Sequence, residues 1–168
     1  MPLAFVTVGT TEFDALIRAA VSPAVLAALR SRGIDHLLLQ IGNGSFEPTV
    51  NANDDSGVRV SFYRTKPSIA QDLRNADLVI GHAGAGTCLE TLEFAKPFVV
   101  VINETLHDNH QWELAEQLAA DGHLLFCTPA NLAETIERGE LDELTPWVAG
   151  DVGRFVSWLD EFVGVRSQ

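Results

Sequence analysis

Short apolar runs alternate with segments of helical periodicity along most of the chain. Leu3 to Val8 is an apolar run ending at Gly9-Thr10-Thr11, and Phe13, Leu16, Ile17 and Ala20 then recur at helical spacing. Pro23 either interrupts that helix or opens a second one, in which Val25, Leu26 and Leu29 share a face before Gly33. His36 to Ile41 reads as a second strand closed by Gly42-Asn43-Gly44, and Val58 to Tyr63 as a third, followed by Arg64-Thr65-Lys66-Pro67. Ser68 is placed to cap a short helix from Ile69 to Arg74. Ala76 to Ile80, Phe98 to Ile102 and His123 to Cys127 predict three more strands. Helices are expected from Thr87 to Lys96-Pro97, from Asn109 to Ala120 and from Leu132 to Gly139. Near the end, Val152, Phe155, Val156, Leu159, Phe162 and Val163 form a full apolar stripe, for packing on the sheet or covering a partner. The polar stretch from Glu47 to Gly57 reads as a solvated loop.

Alternation of strands and helices predicts an α/β fold, a Rossmann-like parallel sheet with helices on both faces. Ligands of such sheets bind at the carboxyl ends of the strands. The turns Gly9-Thr10-Thr11, Gly42-Asn43-Gly44, Arg64-Thr65-Lys66, Gly81 to Thr87 and Asn103 to Gln111 all belong at that edge, so they can share one site.

Composition narrows the partners. At 168 residues and 46% hydrophobic content, residues 1–168 are expected to form one domain with a core of its own. Eleven basic against 23 acidic residues leave a net charge of -12, which opposes non-specific binding to nucleic acid or to an anionic bilayer. A phosphorylated ligand must then be held by local dipoles and a few placed cations. Cys88 and Cys127 fall inside predicted elements, and the absence of a secretory signal makes a reducing compartment the expectation. No apolar run reaches the roughly 20 residues of a membrane span.

The chemistry concentrates between Gly81 and Gln111. Gly81-His82-Ala83-Gly84-Ala85-Gly86-Thr87 joins a predicted strand to a predicted helix, where glycine admits a ligand to the backbone and the first helical N–H groups lack internal partners. That is an anion site in form. Thr87 and Glu90 are spaced as a capping box, or alternatively Glu90 accepts a pair of sugar hydroxyls. His107, His110, Asp108 and Glu104 lack a recognised metal-ligand spacing, and Asn109-His110-Gln111 instead offers hydrogen bonds to a polar ligand. No phosphate-loop Gly-Lys-Ser/Thr and no Gly-x-Ser-x-Gly occurs. Gly84-Ala85-Gly86 is half of a dinucleotide fingerprint with Glu104 twenty residues on, but Leu89 holds the third glycine position.

In this ordered set the chain resembles a known family. The residues are Phe5 to Thr11 with Phe13-Asp14, His82 to Gly86, Cys88 to Leu92, Lys96-Pro97, Val100 to Glu104, and Asn109-His110-Gln111 with Glu113-Leu114-Ala115. They are similar to the catalytic subunits of the eukaryotic UDP-N-acetylglucosamine transferase that adds the second sugar to dolichol-diphosphate-linked N-acetylglucosamine. More distantly they resemble the carboxyl half of bacterial peptidoglycan N-acetylglucosaminyltransferases, glycosyltransferase family 28. The resemblance implies the donor-binding half of a GT-B enzyme. Gly84, Ala85, Gly86 and Thr87 would contact the diphosphate, with Gly9, Thr10 and Thr11 facing it. Glu90 would hold the ribose, Phe62 and Tyr63 would border the uracil, and His110 and Gln111 would reach the sugar, beside Asn109. Gly81 stands where the family has serine, and His107 where it has methionine.

The implied activity is inverting transfer of N-acetylglucosamine from UDP-N-acetylglucosamine, a substrate and not a cofactor, without a metal. The catalytic base is not identified by the sequence; His82 and His110 are its candidates. The resemblance further implies a heterodimer with a membrane-anchored, acceptor-binding subunit that holds this chain at the cytosolic face of the endoplasmic reticulum. A UDP-sugar-binding regulatory module and a nicotinamide-dinucleotide protein are the alternatives, and no nucleic acid is expected.

Overall fold

The computed structural model describes residues 1–50, 55–105 and 110–147, with the side chains at 110 and 111 outside that description. The predicted stripe at 152–163, residues 51–54 of the polar loop, and Asn109 with Leu106, His107 and Asp108 lie outside the described residues.

Six strands, β1 (Leu3–Thr7), β2 (His36–Gln40), β3 (Arg59–Tyr63), β4 (Leu78–His82), β5 (Phe98–Val101) and β6 (Leu125–Cys127), form one sheet in the order β3-β2-β1-β4-β5-β6. Every pairing is parallel. Alternation along each strand decides the two cores. Ala4, Val6, Ile80, Val99 and Val101 face one side, where α1 (Asp14–Ala20), α2 (Pro23–Ser31) and α6 (Leu132–Arg138) bury Leu16, Ile17, Leu29, Leu132 and Ile136. Phe5, Val79, Phe98 and Val100 face the other, where α3 (Ala70–Asn75), α4 (Ala85–Glu93) and α5 (His110–Ala120) contribute Leu73, Cys88, Leu92, Leu114, Ala115 and Leu118. Central strands buried on both faces favour apolar residues throughout, which is why Phe98 to Ile102 reads as an unbroken run and Leu3 to Val8 as one interrupted only at Thr7.

Pro23 opens a helix instead of kinking one. The Ser22 hydroxyl accepts from the Val25 amide at 3.4 Å, an N-cap with proline at the first helical position. Alternation fails once, between β2 and β3, where the described residues contain no helix. At α3, Ser68 accepts from the Ala70 amide at 3.2 Å, but the residue flanking the helix is Ile69, one position later than expected. Among the described residues, no helix is long and apolar enough to cross a membrane.

Candidate functional site

The strand order reverses between β1 and β4, whose connections leave in opposite directions along the sheet. In open parallel sheets this switch point opens a crevice at the carboxyl edge. The turn after β1 forms one wall and the start of α4 the other.

On the β1 side Gly9 adopts φ +62°, a conformation that costs glycine nothing. Its N–H donates to the Thr7 hydroxyl at 3.0 Å. The Thr11 amide and hydroxyl both donate to the Val8 carbonyl, at 3.2 and 2.8 Å. Thr10 is exposed, and its amide and hydroxyl make no hydrogen bond among the described residues. The neighbouring turns are tied to this one. The Asn43 side-chain amide donates to the Thr10 carbonyl at 2.8 Å and its backbone N–H to Thr11 O at 3.1 Å. Burial is the largest single effect on the Asp14 carboxylate and raises its pKa, but the amide and hydroxyl of Ser45, which donate to it, together with the Phe46 amide and Arg18 hold the pKa below the ordinary value. Arg64, after β3, donates to the carbonyls of Gly42 and Gly44 and pairs with Glu47 at 2.6 Å.

On the β4 side, Gly81 and His82 belong to the strand, Gly84 flanks the helix and Gly86 lies within it, so the three glycines do not all occupy the turn. A Cβ on Gly81 would lie 3.1 Å from the Phe98 ring, so glycine there admits that ring into the core. The helix starts at Ala85, two residues earlier than expected, and Thr87 is its third residue. That removes the capping box. Gly84 is the N-cap, no side chain caps the helix, and the first intrahelical bond runs from Cys88 N to Gly84 O at 2.9 Å. The amides of Ala85, Gly86 and Thr87 are therefore outside the helical ladder at the positive end of its dipole. Glu90, one turn in and half-buried, makes no hydrogen bond or ion pair among the described residues.

The His82 ring lies between the walls. A Cβ on Gly84 would come within 2.3 Å of His82 Nε2, and one on Gly9 within 3.2 Å of Cε1 and 3.9 Å of Thr87 Oγ1. Burial holds the imidazole below its ordinary pKa, opposed by the Thr7 backbone carbonyl, and Nδ1 is buried without a hydrogen bond of normal geometry. At neutral pH the ring is uncharged, able to donate or accept one hydrogen bond but not to supply a positive charge. Cys88, under α4, is pushed up to about 12 and Cys127 to about 11 by burial, so both are thiols and neither is an activated nucleophile.

Phe62 and Tyr63 end β3, an edge strand, and point to opposite faces: Phe62 packs on the α1–α2 side and Tyr63 on the α3 side. The Tyr63 hydroxyl donates to Asp72 at 2.5 Å, and Lys66 lies 4.0 Å above the Tyr63 ring while pairing with Asp72 at 3.0 Å. Burial, then the Asp72 carboxylate, raises the phenol pKa far above its ordinary value. This clasp fixes the loop between β3 and α3, and nothing in residue spacing announces it. His110 and Gln111 open α5 at the same edge of the sheet. Gly9, Thr10, Thr11, His82, Gly84, Ala85, Gly86 and Thr87 thus meet at one crevice, while Phe62 and Tyr63 stand at the far edge.

The Glycosyltransferase family 28 C-terminal domain matches residues 3–148. The chain is 52% identical over 128 residues to the UDP-N-acetylglucosamine transferase subunits ALG13 of mouse and of human, covering 76% of this chain and 11% of those proteins. It thus spans about a tenth of the length of those relatives. It is 31% identical to the subunit of the same name from Candida glabrata, covering 85% of this chain and 89% of that one. Among solved structures, an NMR structure of ALG13 superposes with a TM-score of 0.71 over 94% of both chains at 22% identity. Acinetobacter baumannii MurG superposes with a TM-score of 0.62 at 22% identity, over 86% of this chain and 43% of that one. At those identities the superpositions speak for the fold alone, which recurs as part of longer chains. The sequence match along nearly the whole described sheet places this chain in glycosyltransferase family 28, as a member of its C-terminal-domain family.

Proposed function

We propose that this chain is the donor-binding, catalytic subunit of a two-chain N-acetylglucosaminyltransferase. It moves N-acetylglucosamine from UDP-N-acetylglucosamine to the 4-hydroxyl of dolichol-diphosphate-linked N-acetylglucosamine, with inversion. A membrane-anchored partner supplies the acceptor half and holds the chain at the cytosolic face of the endoplasmic reticulum. The names of the relatives support the donor and the word subunit.

One observation carries the reading: α4 begins with three amides outside its own ladder, across a crevice from the Gly9 turn. Departure of UDP builds negative charge on the diphosphate, and amides already aimed at that position stabilise it without reorganisation. Gly84 and Gly86 let phosphoryl oxygens reach the backbone, and Thr10 adds an unengaged amide and hydroxyl from the other wall. Glu90 accepts from the ribose. The uncharged His82 ring offers a hydrogen bond at the crevice floor and, with His110, stays a candidate for the base that deprotonates the acceptor hydroxyl.

Titration of isotope-labelled protein with uridine diphosphate should shift the amide resonances of residues 84 to 88 most strongly. Unmoved resonances at saturation would sink the reading. Transfer assays with the membrane subunit present and absent separate a catalytic subunit from a binding module, and robust transfer by the isolated chain would refute the two-chain requirement.

A further inference from the structure

Among the described residues only four polar side chains are buried outright: Thr7, Gln40, Asp72 and Thr91. Two of them touch. Thr7 ends β1 and Gln40 ends β2; they stand directly opposite in the parallel register, fully buried and 3% exposed. The Thr7 hydroxyl donates to Gln40 Oε1 at 2.5 Å and accepts from the Gly9 amide at 3.0 Å. These three groups form a line from β2 into the turn that walls the crevice.

A buried hydroxyl and carboxamide in a sheet of valine and leucine contribute little net stability, because an apolar pair of the same shape would do as well. What the pair does specifically is bind the N–H of a residue in the left-handed region. Without an acceptor that N–H would turn toward solvent or ligand, and φ at Gly9 would be free to relax. We infer that the Gln40–Thr7 pair is a positioning relay: it consumes the Gly9 amide and locks the turn, leaving Thr10 as the hydrogen-bond donor that the β1 wall presents to a phosphorylated ligand. The ligand part of this inference rests on the donor-site reading above; the conformational part does not.

The test is the paired replacement Thr7→Val with Gln40→Met, which removes the side-chain donor and acceptor together and leaves only the part-buried Gly9 amide without its partner, free to turn to water or ligand. Its melting temperature should match or exceed that of the native chain. Hydrogen exchange at the Gly9 amide should lose its protection, and uridine diphosphate should bind about three- to tenfold more weakly, the worth of one hydrogen bond. Thr7→Ser, which keeps the hydroxyl, should restore both. Native protection at Gly9 in the double variant, or undiminished affinity despite lost protection, overturns the relay. A native chain that does not bind uridine diphosphate overturns the donor-site reading instead, and the relay is then decided by Gly9 exchange in the double and Thr7→Ser variants.

Discussion

The two walls of the crevice spend their hydrogen bonds in opposite ways. On the β1 side almost every polar group is engaged: Gly9 with Thr7, Thr11 with Val8, Asn43 with Thr10 and Thr11, Asp14 with Ser45, Arg64 with Gly42 and Gly44. On the β4 side the first three amides of α4 engage nothing in the helix, and Glu90 is unpaired among the described residues. A polar group already satisfied within the protein gains little from a ligand; an unsatisfied one gains a full hydrogen bond. The first wall is therefore a rigid template apart from Thr10, and the second is the wall whose amides are left free for a ligand. The difference comes from element type. Turns after adjacent strands lie side by side and can bond to one another, whereas a helix start has no neighbour of its own kind.

The strongest way to break the template is Gly42→Ala. Gly42 has φ +60°, and a Cβ there would lie 2.3 Å from the Thr11 carbonyl, which is backbone and cannot step aside. A loss of about 3 kcal/mol is expected, read from the urea midpoint. Native stability would mean the first two turns are not locked together. Gly84→Ala attacks the other wall. The backbone there accepts alanine, but its Cβ would lie 2.3 Å from His82 Nε2 and force the ring into the crevice. Affinity for uridine diphosphate should fall about ten- to 100-fold by calorimetry, the worth of a hydrogen bond to a charged group.

Asp72→Ala sharpens the comparison at the edge of the template. It strips the Tyr63 hydroxyl and Lys66 of their shared partner and should cost about 1.5 kcal/mol in thermal or urea unfolding, the worth of a charge-assisted hydrogen bond. The clasp also has a pH signature. The folded state raises the Tyr63 pKa, so its contribution is complete below the ordinary phenol value of 10.0 and is lost as pH climbs above it. Tyr63→Phe should flatten that alkaline decline.

His82 has the opposite sign. Its folded pKa lies below 6.5, so the unfolded chain binds more protons in acid. Stability is complete above 6.5 and drains away as pH falls through the folded value. His82→Asn should weaken that slope below pH 6.5, and an unchanged slope would mean the ring titrates normally. The smallest effect belongs away from both walls. Arg138 and Glu134 pair at 3.3 Å on the exposed face of α6, and Arg138→Ala should change stability by less than about 0.5 kcal/mol.

All six strands were legible as runs of five or six residues, five of them mainly apolar and Val58 to Tyr63 by its alternation, and most of the turns that line the carboxyl edge as their glycine-rich ends. Gly33 and Gly122 end helices in the left-handed conformation that glycine at such positions announces. Less was legible where a local rule competed with geometry. Thr87 and Glu90 have the spacing of a capping box, but the chain turns helical as soon as β4 releases it, so Thr87 becomes an interior residue of the first turn. The alternation rule overreached between β2 and β3, where a loop makes the crossover without a helix in the described residues. Two signals were present and missed: Thr7 is the one polar residue of β1 and Gln40 closes the leucine run of β2, and a buried polar side chain in a sheet needs a hydrogen-bond partner.

By itself, then, the sequence determined the elements, their parallel character and the edge where a phosphorylated ligand would sit, because periodicity and glycine placement act over a few neighbouring residues. The tertiary structure alone decided the order β3-β2-β1-β4-β5-β6, the pairing of Thr7 with Gln40 across 33 residues, the clasp on Tyr63 and the wedging of His82 between Gly9 and Gly84. Those are contacts between strands and turns distant in the chain, and their geometry follows from how two cores close on one sheet, which no local pattern encodes.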